Sequence, residues 1–562
     1  MQNTKKKLLS ITNLKKYFPI AKSSLFQKER LYVRANEDIS IDIYEGETFG
    51  LVGESGCGKS TLGRVILQLY EQTAGSTLYY GRSRAEVAPA YVKKTFKNPE
   101  KYLKIYRDAQ AKADKTAAVV EEAGDNATFY QIQDNNLAQA AAKSALMNVA
   151  KILGGLISLP TAEMKKGSDI LLRQHYVLVK IEKINAKIKS VENIIDLKLN
   201  KLSADENDSV EEKTEKDEKR IAAINASIER LKQKCRDYKK EIEALRAIEA
   251  DRQAEIDAIR AAHKGEEEFQ KYEAMFDGGI DLARLKYNEI RRLRKDIQIV
   301  FQDPYSSLDP RMTIGQTIEE GLVTHKYYKH GSKKMKEYIL KTMNDCGLQD
   351  YMLHRYPHQF SGGQRQRVCI ARALAVKPKF VVCDECVSAL DVSIQSQIIN
   401  LLQELKEREN LTYLFISHDL SVVRYISDRI GVMYLGNLVE LADSETIFKD
   451  PRHPYTVALL SSIPTTDPDD LNKERIILEG NIPSPIRPPE GCKFHTRCFM
   501  ACDKCKRVPP PFVEVEPGHF VACHFLDKKL DENGNYLFDL PKMEKKSSKL
   551  ADLPSEEENN EA

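Results

Sequence analysis

The sequence predicts an α/β fold with a mostly parallel sheet, because apolar strand-like runs alternate along it with helical segments. The runs at 297–301, 380–383 and 411–416 are each followed by polar residues. A further apolar run at 48–52 leads into the glycine-rich segment 53–61, and apolar residues at helical spacing come next. This order of strand, glycine loop and helix indicates where a binding site is to be expected.

The glycine-rich segment fits the phosphate-loop pattern G-x-x-x-x-G-K-[ST]. Its glycines let the backbone curl so that N–H groups point at phosphate oxygens, and the next helix adds the positive end of its dipole. Lys59 can reach the β- and γ-phosphates, and the Ser60 hydroxyl can bind magnesium. A chance turn is the alternative, and the lysine, the serine and the strand–helix context argue against it. The predicted nucleotide-binding residues of the loop are Gly53, Ser55, Gly56, Gly58, Lys59, Ser60 and Thr61.

The charge is nearly balanced, with 86 Lys and Arg against 83 Asp and Glu, so no nucleic-acid partner is expected. No apolar run reaches the length of a membrane span, since the nearest, 145–160, is too short and contains Lys151. The N-terminus lacks a signal-peptide core. We therefore expect a cytoplasmic protein that meets a membrane only through partners.

Residues 82–281 differ in character, being rich in Ala, Lys, Glu and Asp and too long for a loop. Two heptad patterns predict an antiparallel coiled-coil hairpin with a charged turn at 203–219. Their apolar residues are Val177, Ile181, Ile184, Ile188, Val191 and Ile195, then Ile221, Ile224, Ile228, Leu231, Cys235, Tyr238, Ile242 and Leu245. A tolerated insertion and a partner-docking element both remain open as interpretations.

Polar residues follow three of the predicted strands, and parallel strands deliver such residues to one edge of a sheet. Asp384 could hold magnesium, with a helix cap as the alternative, and Glu385 could activate water, with a surface charge as the alternative. His418 could contact the γ-phosphate, and Gln302 could complete the magnesium shell. Each signal is weak when it is taken singly.

Segment 361–367 resembles the signature motif of ATP-binding-cassette (ABC) ATPases. By that resemblance Gln302 is the Q-loop glutamine, Asp384 the magnesium carboxylate, Glu385 the catalytic glutamate and His418 the switch histidine. The resemblance implies a P-loop NTPase fold of the ABC type with a helical subdomain, interrupted here by the helical insertion.

The same resemblance implies that ATP bridges a head-to-tail dimer, in which the signature of one subunit faces the γ-phosphate held by the other. Segment 388–391 is similar to the D-loop, and it contributes Asp391. Phe18, or its neighbour Tyr17, would stack on adenine. Cys386 departs from the family, which usually has proline after the catalytic glutamate. The signature residues expected to bind nucleotide are Ser361, Gly362, Gly363 and Gln364.

Segments 301–312, 452–456 and 491–498 resemble the ATPase subunits of oligopeptide and dipeptide permeases. This resemblance implies an ATPase that energises peptide import at the cytoplasmic face of the membrane. Its partners would be a sister ATPase, two membrane permeases and a peptide-binding protein. The alternative is a soluble DNA-maintenance ATPase of the structural-maintenance-of-chromosomes type, but there the coiled coil follows the Q-loop.

The C-terminal cysteines Cys492, Cys498, Cys505 and Cys523 look like a motif of the permease ATPases, and Cys502 is additional. Four thiolates suit a [4Fe-4S] cluster, which we favour in a structural role. Zinc and no metal at all remain alternatives.

The expected domain organisation has five parts. They are the start of the ATPase domain at 1–81, the insertion at 82–281, the rest of the ATPase domain at 282–450, a permease-type extension at 451–530 and a polar tail at 531–562.

Overall fold

The computed structural model describes residues 5–22, 30–207, 215–463 and 476–525. The predicted polar tail, 531–562, lies outside the described residues. The chain divides into two units, Met1–Asn437 and Leu438–Ala562.

The first unit contains the insertion and the predicted ATPase domain up to Asn437, whereas the segment 438–450 of that predicted domain belongs to the second unit. Its strands are β1 Lys7–Pro19, β2 Tyr32–Tyr44, β3 Thr48–Val52, β4 Ala74–Tyr79, β5 Ile280–Asp281, β6 Ile297–Val300, β7 Phe380–Asp384, β8 Thr412–Ile416 and β9 Arg429–Tyr434. Its helices are α1 Lys59–Ile66, α2 Arg84–Val87, α3 Ala90–Lys97, α4 Pro99–Ala123, α5 Phe129–Leu153, α6 Thr161–Asn207, α7 Glu215–Ala262, α8 Glu267–Glu273, α9 Tyr287–Leu293, α10 Pro304–Ser307, α11 Ile314–Thr324, α12 Lys333–Asp345, α13 Gly362–Leu374, α14 Val392–Glu409 and α15 Leu420–Ile426.

The central sheet of this unit has the parallel strand order β9-β3-β8-β7-β6. Every residue of β3, β7 and β8 is buried, which explains why these strands are almost continuously apolar in sequence. In the register Leu51 lies beside Ile416, and Ile416 lies beside Asp384. The carboxyl ends of β3, β8 and β7 therefore meet at one edge, as the sequence predicts.

An antiparallel sheet of order β2-β1-β4-β5 forms the other layer. In it Leu78 pairs with Asp281 and Tyr79 with Ile280. The chain thus leaves this sheet from β4 and returns in the neighbouring strand, and helices α2 to α8 lie between these two points.

The long helices α6 and α7 run antiparallel, since Gln174 bonds Gln253 at 2.7 Å and Lys180 pairs with Glu241 at 2.9 Å. The residues buried between them are those of the heptad patterns, for example Ile184, Ile188 and Ile228. A second apolar core joins the base of these helices to α3, α4, α5 and α8. Because α6 reaches Asn207 and α7 begins at Glu215, the connection is shorter than the turn predicted at 203–219.

The expectation that no apolar run of this sequence reaches the length of a membrane span is wrong. The helical segment Phe129–Ser158 is long and apolar enough to cross a membrane by length and composition. More than half of its most apolar window is buried inside the protein, as in the core helix of a folded domain. Lys151, which interrupts the run in sequence, donates a hydrogen bond of 3.1 Å to Ser76 of β4.

The second unit contains strands β10 Asn437–Asp443, β11 Val513–Glu516 and β12 His519–Val521, and helices α16 Ser444–Lys449, α17 Pro454–Leu460 and α18 Asp503–Arg507. The strands form an antiparallel order β11-β12-β10. Tyr455 of α17 is fully buried, and its ring lies 5.3 Å from that of Phe494.

Candidate functional site

The phosphate loop leaves β3 and enters α1 in a conformation that requires glycine. Gly58 has φ +103°, and a Cβ on it would lie 2.1 Å from the carbonyl oxygen of Ala35. Lys59 is buried, and its ammonium donates hydrogen bonds to the carbonyls of Gly53 at 2.8 Å and Glu54 at 3.1 Å. The lysine side chain therefore spans its own loop.

The remaining loop residues meet solvent to different degrees. Ser55 and Gly56 are exposed, and Ser60 is half-buried in the first turn of α1. The first N–H groups of α1, including that of Thr61, precede the first intrahelical bond, from Leu62 N–H to the Gly58 carbonyl. Such unpaired N–H groups are suited to phosphate oxygens.

Asp384 ends β7 with its side chain 1% exposed. Its Oδ2 lies 3.4 Å from Nη2 of Arg64, and its Oδ1 is buried without a hydrogen-bond partner among the described residues. A buried carboxylate oxygen without a partner costs free energy, which a hydrated magnesium ion would offset. The donor chemistry at Asp384 therefore fits magnesium.

The next residue, Glu385, has a left-handed backbone with φ +47°. Its N–H donates to the carbonyl of Ile416 at 3.0 Å, so the turn is tied to the end of β8. Gln302 donates a hydrogen bond of 2.9 Å to Oε2 of Glu385, and Nδ1 of His418 lies 3.6 Å from the same oxygen. Two of the predicted residues, Gln302 and His418, thus converge on the carboxylate of a third, Glu385.

Cys386, which follows this turn, is buried. A hydrogen bond with Cys386, together with burial, raises the pKa of the Cys383 thiol well above its usual value. Two buried thiols, Cys383 and Cys386, therefore flank the Asp384-Glu385 pair in sequence.

The signature segment begins α13. Ser361 accepts a hydrogen bond from the Gln364 N–H at 3.4 Å, and the Gln364 side chain accepts one from the Ser361 N–H at 3.2 Å. This capping box fixes the helix start, while Ser361 and Gly362 remain exposed. Gly363 packs closely, since a Cβ there would lie 2.4 Å from Ile394. The start of α13 is thus a rigid, exposed N-terminus.

Two further predicted residues differ in their exposure. Asp391 precedes α14, is exposed and makes no side-chain cap bond. Tyr17 is buried, and its hydroxyl donates to Glu37 at 2.5 Å. Phe18 is half-buried, with its ring 4.6 Å from the Lys16 ammonium. The accessible ring of this pair is that of Phe18, which favours it for stacking.

In the second unit, Glu440 is fully buried and organises the segment that resembles the permease ATPases. Its Oε1 accepts hydrogen bonds from His519 Nε2 at 2.8 Å and from the Arg452 N–H at 2.7 Å. Its Oε2 accepts one from the His453 N–H at 3.0 Å. The His453 ring in turn caps α17 by accepting from the Tyr455 N–H at 3.1 Å.

Four of the C-terminal cysteines, Cys492, Cys498, Cys505 and Cys523, line one cavity with Phe494. Burial raises the pKa of Cys492 to about 11 and that of Cys498 to about 12. Within the described residues no group of three or more His, Cys, Asp or Glu side chains is arranged to hold a metal ion. The predicted cluster is therefore not shown.

Comparisons with known proteins match parts of both units of the chain. The family model described as ABC transporter matches residues 36–159 and 264–388, and the model described as oligopeptide/dipeptide transporter, C-terminal region, matches 439–505. An oligopeptide transport ATP-binding protein, AppF of Bacillus subtilis, is 53% identical over 250 residues, covering 44% of this chain and 75% of that protein. The chain belongs to the ABC transporter ATPases.

Other relatives of this ABC transporter ATPase carry similar names. A putative peptide import ATP-binding protein of Brucella ovis is 54% identical over 45% of the chain and 78% of its own length. The oligopeptide transport ATP-binding protein OppF of Haemophilus influenzae is 48% identical over 44% of the chain and 74% of its own length. A solved dimeric ABC cassette bound to ADP and phosphate is 16% identical, with a TM-score of 0.38 over 78% of the chain and 99% of its own.

Two contacts of the ABC ATPase site were not predicted from sequence. Arg64 contacts Asp384 from α1, and Asn36 of β2 donates a hydrogen bond of 3.1 Å to the carbonyl of Gly58. Neither residue belongs to the phosphate-loop pattern, although Arg64 lies five positions after Lys59 on the same helix. Only the packing of β2 against the loop reveals Asn36.

Proposed function

We propose that this protein is the ATP-hydrolysing subunit of an ABC importer for oligopeptides or dipeptides. The observation that carries the proposal is the convergence of Gln302 and His418 on the Glu385 carboxylate, at the end of the strand layer that holds the phosphate loop. The relatives named for oligopeptide transport and for peptide import align over about three quarters of their own length. The protein would work as a peripheral subunit at the cytoplasmic face of the membrane.

In this proposal Lys59 and the loop N–H groups bind the phosphates of ATP, and Phe18 stacks on adenine. Ser60, Gln302 and Asp384 would hold magnesium, which would neutralise charge on the phosphates. Glu385 orients and deprotonates the attacking water, because Gln302 already fixes its carboxylate by a hydrogen bond. His418 contacts the γ-phosphate.

The exposed start of α13 supports a composite site. Ser361 and Gly362 are exposed at this helix start, where a second ATPase subunit would bring its ATP to the segment Ser361, Gly362, Gly363 and Gln364. Asp391 would lie beside that ATP. The sister subunit could be a second copy or a related chain, and two permeases and a peptide-binding protein would complete the transporter.

The insertion and the C-terminal cysteines extend this proposal. We assign α6 and α7 to an antiparallel coiled coil, supported by the burial of their heptad residues. We assign a structural [4Fe-4S] cluster to Cys492, Cys498, Cys505 and Cys523, supported by their shared cavity. Bound there, a cluster would cross-link segments of a unit that has short helices and strands.

The alternative of a soluble chromosome-maintenance ATPase gains no support from the comparisons. The second matching model is that of an oligopeptide transporter C-terminal region, and it covers the segment that Glu440 and His453 organise. The five-part division of the chain stays a proposal, with the insertion leaving and re-entering at β4 and β5.

The replacement Glu385→Gln tests the proposal in cells and in the purified protein. It keeps the shape of the side chain and removes the base, so we expect ATP turnover to fall by about a hundredfold or more while ATP binding persists. Uptake of a labelled oligopeptide should be lost. The matched control is Glu404→Gln on the exposed face of α14, which should retain both activities. Normal uptake in the Glu385→Gln cells would contradict the proposed function.

A further inference from the structure

We propose that the first two turns of α5, which belong to the insertion, position the ATP site of this protein through Phe129 and Gln133. These residues hold β2, which packs against the phosphate loop, and through it β1, which carries Phe18. The inference rests on the ATP site proposed above, and it gives part of the insertion a role in nucleotide binding.

The start of α5 is fixed by a capping box. The Gln131 side chain accepts from the Thr128 N–H at 2.8 Å, and Thr128 accepts in return from the Gln131 N–H at 3.4 Å. Phe129 and Gln133 are four residues apart, so they lie on the same face of the helix. That face meets the beginning of β2.

Phe129 meets β2 at Arg34. The Arg34 guanidinium lies 5.5 Å from the centre of the Phe129 ring and 5.8 Å from that of Tyr17, and Arg34 is 9% exposed. Tyr17 and Arg34 are also partners in the β1–β2 register, and the next pair joins Phe18 to Val33. Phe129 therefore braces the residue pair adjacent to Phe18.

Gln133 holds the same region by a hydrogen bond. Its side chain is 2% exposed, and its Nε2 donates to the carbonyl of Arg30 at 3.0 Å. Arg30 lies two residues before β2 begins at Tyr32. The entry into β2 is thus anchored to the insertion.

The residues after Arg34 carry this constraint to the phosphate loop. The Ala35 carbonyl is the atom that a Cβ on Gly58 would meet at 2.1 Å, and Asn36 donates to the Gly58 carbonyl at 3.1 Å. Arg34, Ala35 and Asn36 are consecutive in β2. A shift of Arg34 would therefore move the wall against which the phosphate loop packs.

The helix α5 can act as a brace because it is itself docked on β4. Ser144 accepts a hydrogen bond from the Gly75 N–H at 2.8 Å, and Lys151 donates to Ser76 at 3.1 Å. The Arg284 guanidinium, beyond β5, donates to the Asn148 carbonyl at 2.8 Å. The antiparallel sheet therefore holds α5 through β4, and α5 in turn positions β2 and β1 of the same sheet.

The experiment measures the Kd of ATP and the KM and kcat of ATP hydrolysis in the full-length protein carrying Phe129→Ala or Gln133→Leu. Each variant removes one contact, so we expect Kd and KM to rise about threefold to tenfold, with kcat changed less than about twofold. Phe129→Tyr, which keeps the ring, should restore the affinity. The matched control is Tyr176→Ala, which removes a 43% exposed ring from α6 of the same insertion.

A purely structural role for these residues would lower the melting temperature and leave Kd and KM as in the unchanged protein, and that result would overturn the inference. Gln133→Leu conserves volume, so it still tests the inference if Phe129→Ala fails to fold. Phe18→Ala separates the inference from the proposed function. If Phe18→Ala weakens ATP binding while Phe129→Ala and Gln133→Leu do not, only the inference fails. If Phe18→Ala has no effect, the adenine site itself is misassigned.

Discussion

Glu385 adopts a backbone conformation that is costly for a residue with a side chain. A left-handed φ of +47° costs on the order of 1–3 kcal/mol, and the bonds at either side of the residue offset it. These are the bond from its N–H to Ile416 and the bond from the Ser388 N–H to its carbonyl at 3.2 Å. We expect these bonds to hold the turn even though Cys386 stands where the family resemblance implies a proline.

The C-terminal cysteines give a prediction at the scale of single residues. The Sγ atom of Cys502 lies 3.6 Å from the Sγ atom of Cys505. Cys502 nevertheless does not line the cavity shared by the other four cysteines. We therefore expect Cys498→Ser to abolish bound metal and Cys502→Ser to retain it. Iron, sulfide and zinc are measured in protein purified anaerobically. Full iron content in Cys498→Ser protein would contradict the proposed ligand set. Zinc found without sulfide would indicate that the cysteines bind zinc and not an iron–sulfur cluster.

At the scale of helices and strands, the insertion and the central sheet show which sequence patterns are sufficient to predict buried residues. Heptad spacing predicted the burial of Ile184 and Ile228, because two helices can cover each other's apolar stripes without further information. Strand ends were predicted because a fully apolar run must be buried on both faces, as β7 and β8 are. The polar residues after them then follow from the parallel order.

The contacts of α5 could not be predicted in this way. Gln133 lies in a polar stretch, with Gln131, Asp134 and Asn135 close to it in sequence, so nothing singles it out or indicates Arg30 as its partner. The sequence also shows an apolar stretch only at 145–160, whereas the helical segment Phe129–Ser158 is longer and reaches the length of a membrane span. Such contacts depend on which face of a helix meets which strand, and periodicity alone does not determine that.

The two apolar cores of the insertion lead to a prediction about its elements. The core at the tip of α6 and α7 is separate from the core that joins their base to α5. Replacing 183–239 by a short Gly-Ser linker should therefore leave the KM for ATP within about twofold of its original value. The Phe129→Ala change should still raise the KM in the shortened protein. A large rise in KM on shortening alone would show that the tip also acts on the ATP site.

At the scale of the whole molecule, stability should depend on pH through Glu440. Burial by itself raises the pKa of this carboxyl, but hydrogen bonds from His519 and from the N–H groups of Arg452 and His453 outweigh burial, and the net pKa is lowered. A lowered carboxyl pKa contributes stability above the ordinary value of about 4.3, and this contribution is lost as pH falls through the folded pKa.

Glu440→Gln tests this contribution in the full-length protein. At pH 7 we expect the free energy of unfolding to fall by about 2 kcal/mol, because one acceptor oxygen and the charge are lost from a buried site. The difference between the two proteins should shrink as the pH is lowered below about 4, where the carboxyl takes up a proton. Urea unfolding at a series of pH values measures it. Glu445→Gln, at the exposed start of α16, is the control, and a constant difference at all pH values would contradict the assignment.

The pairing of β4 with β5 also affects how long the sheets stay incomplete while the protein is synthesised. Roughly 200 residues separate these paired strands, and at about 5–20 residues per second the ribosome needs about 10–40 s to synthesise them. During that time β3 has been made, while both of its neighbours, β8 and β9, have not. The insertion can fold through its local helix pairs before the sheet closes. A nascent chain would therefore hold an apolar strand without its partners for longer than an uninterrupted cassette does, so its yield should depend on chaperones that cover that strand.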